Sequence, residues 1–129
     1  MFKTWFTSRK FCEGNKRELH VEEALDAIRY EHKSTYKTKY EDRVNERVQL
    51  ERCNFFTTNK LNLTAAIDVD FPKLDCFKIY ICVDGKAVIE GKNASVKIKK
   101  GEVVLVPAKT KNYQIVPSGS VQLLETYID

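Results

Sequence analysis

Histidine is nearly absent from this chain: its 129 residues include two, His20 and His32. A site in which several neutral imidazoles converge on a metal ion at about 2 Å is therefore excluded. Cysteine is scarce too, and Cys12, Cys53, Cys76 and Cys82 form no Cys-x-x-Cys pair. Cys76 and Cys82 could share one face of a strand, but six residues of strand would hold them roughly 20 Å apart. Neither a thiolate zinc site nor a disulfide framework follows from such spacing. The five glycines never cluster, so there is no phosphate-cradling loop and no Gly-x-Ser-x-Gly elbow. Long apolar runs are missing as well. The longest, Ile79–Val83, has the length of a buried strand and cannot span a bilayer. Met1 to Lys10 is broken by Lys3, Arg9 and Lys10 and is too short for a signal core. We therefore expect a reducing, cytoplasmic compartment with free thiols, and no membrane contact.

What is present suits one globular domain, which commonly runs to about 100–150 residues. A hydrophobic share of 43% and a charged share of 31% are ordinary for a folded protein. The net charge of +4 is gathered at two places. Met1–Leu19 has five basic and two acidic residues, and Cys76–Asp129 has eight lysines against five acids. Mild basicity of this kind suits a small anionic ligand.

The chain divides by pattern at about residue 47. Residues 1–47 read as an N-terminal arm, an amphipathic helix and a charged connector. The helix is expected over Leu19–Arg29, where Val21, Ala24, Leu25 and Ile28 form one apolar stripe and Glu22, Glu23 and Asp26 face away. That stripe must pack on something, and a homodimer through Val21–Ile28 is one candidate. In the connector, Tyr30, Tyr36 and Tyr40 stand among lysines and arginines, a mixture that can stack on bases. Seven acids in this stretch and the helix before it would repel phosphates, so no nucleic-acid contact is expected.

Residues 48–129 read as strands and turns. Leu61, Leu63, Ala65 and Ile67 alternate with polar or small residues, the period of one half-buried strand. Phe77–Val83 runs into Asp84-Gly85, which predicts a hairpin turn. Val103–Val106 is apolar at every position and reads as a central strand stopped by Pro107. Tyr113 with Ile115, then Val121–Ile128, complete about eight short strands without βαβ alternation. An all-β sandwich or jelly roll follows. The lysines of this region mostly flank turns and read as a solvated surface guarding strand edges.

Gly85, followed by Gly101-Glu102, four residues and Pro107, has the spacing of the two conserved blocks of a cupin, itself a small jelly roll. A longer resemblance accompanies it. Gly14-Asn15-Lys16-Arg17-Glu18-Leu19-His20 with Ala24-Leu25-Asp26-Ala27-Ile28 resembles the segment leading out of the catalytic domain in type I mannose-6-phosphate isomerases. Cys53-Asn54-Phe55-Phe56-Thr57-Thr58-Asn59 resembles that family's Cys-Pro-Tyr-Phe-Thr-Thr-Asn block, with Asn54 in place of Pro. Gly101–Ala108 and Leu123–Ile128 are similar to the family's close. The resemblance covers Arg9 to Asp129 and implies the C-terminal, cupin-like portion of the short bacterial form.

The implied activity is zinc-assisted interconversion of mannose 6-phosphate and fructose 6-phosphate. The implied metal ligands (a Gln, two His and a Glu) lie upstream of this chain's first residue, and the family's active-site arginine corresponds at best to Lys3. Lysine keeps the charge but loses the planar fork that grips phosphate. Lys78 holds the position of the usual cupin glutamate, and Asn112 that of the usual histidine. The chain alone is thus expected to hold no metal or other cofactor and to lack catalysis. Lys3, Arg9, Lys78 and Asn112 are the candidate contacts for a sugar phosphate or other small anion. The alternative is a free-standing, metal-free cupin that binds a small anionic ligand or a protein partner.

Overall fold

The computed structural model describes residues 20–72 and 75–128. They fall into two compact units, divided along the chain between Lys37 and Thr38. The first holds one helix, α1 (Val21–Ala27), shorter than the expected Leu19–Arg29. Leu19 lies outside the described residues. His20 supplies no side-chain cap, no basic residue closes the last turn, and Ile28 is already extended. Val21, Leu25 and Ile28 remain about half exposed.

The second unit is antiparallel sheet: β1 (Arg47–Arg52), β2 (Thr57–Leu63), β3 (Ile67–Asp70), β4 (Lys78–Gly91), β5 (Ser95–Lys99), β6 (Val103–Val106) and β7 (Asn112–Tyr127). The two long strands, β4 and β7, pair with one another along most of their length and pass through both halves of the sandwich. Beside the first half of β4 and the second half of β7 lie β6, β2 and β1. Beside their other halves lie β5 and β3. Apolar residues of both halves meet in one core, in which Leu61, Leu63, Tyr80, Ile115 and Leu123 are inaccessible to solvent.

Three sequence expectations are corrected. Asp84-Gly85 is not a hairpin turn: β4 continues through it, and the β4–β7 register shifts on either side. Gly85 uses its positive φ of 78° to form this bulge, where a Cβ would lie 2.2 Å from the Ser120 carbonyl oxygen. The strand signal from Leu61 to Ile67 divides into β2 and β3. The Asn45 carboxamide oxygen accepts hydrogen bonds from the backbone N–H groups of Thr64 (2.8 Å) and Ala65 (3.1 Å), which diverts the backbone from the ladder. Finally, β6 is not central. Among the described residues it pairs only with β4, and Val103 and Leu105 point outward, 50% and 44% exposed. The apolar run reflects an uncovered outer face, with Ile81 and Ile79 beside Val103 and Leu105 on β4.

Candidate functional site

The centre of the sandwich is polar. Strand pairing places Asn59 of β2, Glu125 of β7 and Tyr80 of β4 side by side in one row across the sheet, and alternation turns all three inward. Glu125 is fully buried, at 0% exposure, and accepts five hydrogen bonds. Its Oε2 receives Arg47 Nε at 2.6 Å and Asn59 Nδ2 at 3.0 Å. Its Oε1 receives Arg47 Nη2 at 3.2 Å, Lys78 Nζ at 3.2 Å and the Tyr80 hydroxyl at 2.7 Å. The Tyr80 proton is committed to Glu125, so the Tyr113 hydroxyl, 2.7 Å away, is the donor in their mutual bond. Phe71 closes the cluster, its ring centroid 3.0 Å from Lys78 Nζ and 4.8 Å from the Arg47 guanidinium carbon.

Two cations therefore face one carboxylate. Burial alone would raise the Glu125 pKa, but the hydrogen bonds and charge of Arg47, with Lys78 and Asn59, outweigh it and hold the carboxyl below its ordinary value. Burial lowers the Lys78 pKa, and attraction to Glu125 only partly offsets that. Burial pushes the Tyr113 hydroxyl up to about 12, and Tyr80 is raised further still. Both tyrosines are neutral hydrogen-bond partners.

A divalent cation does not fit this donor set. The lone pairs of Glu125 are engaged by five donors, and the ammonium and guanidinium beside it repel a metal ion. Among the described residues, no group of three or more His, Cys, Asp and Glu converges elsewhere.

Of the four residues singled out from sequence, Lys3 and Arg9 lie outside the described residues. Lys78 points inward rather than to the outer face, is 4% exposed and is bound to Glu125. Asn112 is exposed at the start of β7, and its side-chain N–H₂ donates to Asp70 Oδ1 at 2.6 Å. The structure does not bring Lys78 and Asn112 together in a shared hydrogen bond.

Sequence reading missed Glu125, Arg47, Asn59, Tyr80 and Tyr113. The available signal was parity: Glu125 shares its strand face with Val121 and Leu123, and Lys78 with Tyr80 and Cys82, so each charge falls in an inward row.

A cavity of about 420 Å³ opens elsewhere in the same unit, between the turn Gly91–Ala94, strands β5 and β6, and the turn Pro107–Thr110. Asn112 and Tyr113 are among its lining residues, while Lys78 is not. Among the described residues, no helix is long and apolar enough to cross a membrane.

Comparison with known proteins follows the same division. The family described as mannose-6-phosphate isomerase, cupin domain, matches residues 46–128. The mannose 6-phosphate isomerase of Bacillus subtilis superimposes with a TM-score of 0.60 at 21% identity. The match covers 87% of this chain but 35% of that enzyme, so the chain spans about a third of its length. A cupin-2 domain protein of Shewanella frigidimarina aligns over 84% of this chain and 91% of its own, with a TM-score of 0.56 at 6% identity. A cupin superfamily protein of Desulfitobacterium hafniense aligns over 69% and 84%, with a TM-score of 0.55 at 22% identity. No curated protein sequence matches this chain.

Proposed function

The chain belongs to the mannose-6-phosphate isomerase cupin-domain family, and from that premise we propose that it is a non-catalytic cupin module serving the interconversion of mannose 6-phosphate and fructose 6-phosphate. The saturated Glu125 cluster carries this reading. Moving a proton between adjacent carbons of an aldose needs a base free to accept it, with a pKa near working pH, and a group that polarises the carbonyl. Glu125 is the one carboxylate among the buried polar residues described, and its five donors and depressed pKa make it a poor base. Its position suits a structural post that ties β1, β2, β4 and β7 together. The outward apolar row of Ile81, Val103 and Leu105 supports the role of a module, since such a face suits contact with another folded body.

The test is a coupled assay for fructose 6-phosphate formed from mannose 6-phosphate, using the purified chain with and without added zinc. No turnover is expected in either condition. Zinc-dependent turnover would show that residues of this chain do assemble a catalytic site, and the reading would fall.

A further inference from the structure

The lysine-rimmed cavity has no part in the Glu125 cluster beyond sharing Tyr113, yet its composition is selective. Its floor is Ile89, Val96, Val104, Val106 and Tyr113, and its rim includes Lys92, Lys109, Thr110 and Lys111. Among the described residues, no aspartate or glutamate lines it. At about 420 Å³ it falls in the range of small-molecule pockets, roughly 300–1,000 Å³. The fold holds it open by two short turns, closed by Gly91 N–H to Ala94 O at 2.8 Å and Thr110 N–H to Pro107 O at 2.9 Å. These turns abut, since a Cβ at Gly91 would lie 3.7 Å from the Thr110 methyl and 3.3 Å from the Ala94 carbonyl oxygen.

We propose that this cavity binds a small sugar phosphate, with the phosphate held by Lys92 and Lys109 and the carbon face of the sugar laid on the apolar floor. Lys111, beside them, is paired with Asp75 at 3.9 Å. Lysines act here as mobile point charges, which suits a phosphate monoester presented at the rim. The preference for an anion rests on the cavity alone, whereas the choice of a sugar as its body rests on the function proposed above. This site differs from the one suggested by Lys78, whose ammonium is engaged inside the sandwich.

Calorimetric titration at low salt tests the site with three probes: mannose 6-phosphate, mannose and inorganic phosphate. Mannose 6-phosphate is expected to bind, mannose to give no heat, and inorganic phosphate to bind at least tenfold more weakly. The paired substitution Lys92→Gln/Lys109→Gln should weaken mannose 6-phosphate at least tenfold. The control pair Lys86→Gln/Lys97→Gln, exposed lysines outside the cavity, should change it less than twofold. All four side chains are exposed, so the thermal midpoint should not move in either variant and loss of fold is separable from loss of binding. The proposal is overturned if mannose 6-phosphate does not bind, if the control pair loses as much as the rim pair, or if inorganic phosphate binds equally well. Turnover by the chain would refute the non-catalytic assignment and leave this binding pattern untouched. Absence of binding would do the reverse.

Discussion

At the scale of single residues, Glu125 decides the character of the interior. Removing its charge leaves Lys78, 4% exposed, and Arg47 facing one another without a counterion. Breaking a buried ion pair from one side costs about 3–5 kcal/mol, so Glu125→Gln should lower the urea midpoint substantially. Adding Lys78→Met to that variant should recover part of the loss, because one unpaired cation is then removed with it. A double variant no more stable than Glu125→Gln would contradict the reading of Lys78 as a cation left unpaired by loss of that carboxylate. Acid should act on the same group. The folded carboxyl titrates below its ordinary value of 4.5, so between the two values the unfolded chain holds more protons and stability rises with pH. The contribution is complete above about pH 4.5 and is lost as pH falls through the folded value. Urea titrations between pH 3 and pH 6 should accordingly show a shallower acid limb for Glu125→Gln than for the parent. Parity made this residue legible in principle, but its partners were not. Arg47 stands 78 positions from Glu125 and reaches it only because β2 lies between β1 and β7.

At the scale of elements, the bend in β4 carries the architecture. Gly85 and Gly101 both have positive φ, 78° and 84°, but only Gly85 is crowded. Alanine at Gly101 meets open space and should cost only the backbone strain of the left-handed region, about 1–2 kcal/mol. Alanine at Gly85 adds a clash with the Ser120 carbonyl oxygen and should cost clearly more. Urea unfolding of the two variants compares them directly, and equal losses would mean that the bulge can open without penalty. The hairpin reading failed here for the same physical reason. A glycine after an aspartate satisfies positive φ in a two-residue turn and in a bulge alike, and only the partner strand distinguishes them. Likewise, four apolar residues in β6 signal a strand but cannot tell a buried centre from an uncovered edge.

At the scale of the whole molecule, side-chain charge and hydrogen bonding organise the interior of the sandwich around Glu125. A bound ion would stabilise the folded state by mass action, by about 2.7 kcal/mol at one hundred times its Kd. We expect the thermal midpoint of the sandwich to be the same in excess zinc and in chelator. A rise in zinc, worth about 4–8 °C per kcal/mol for a domain of under 100 residues, would contradict the reading of Glu125 as a saturated group.

Period-two alternation and evenly spaced turn residues determined an all-β sandwich, because these are local properties of a pleated chain. The spacing of Gly85, Gly101 and Pro107 added a resemblance to cupins. Family resemblance in the blocks around Phe56 and Glu102 pointed to the isomerase before any strand was paired. Only the tertiary structure decided that Lys78 turns inward onto Glu125, that Asp84-Gly85 bends a strand instead of ending it, and that Lys92 and Lys109 rim one cavity. The reason is distance along the chain. Burial and charge pairing depend on partners tens of residues away, and a linear pattern names the face a side chain occupies without naming what it meets there.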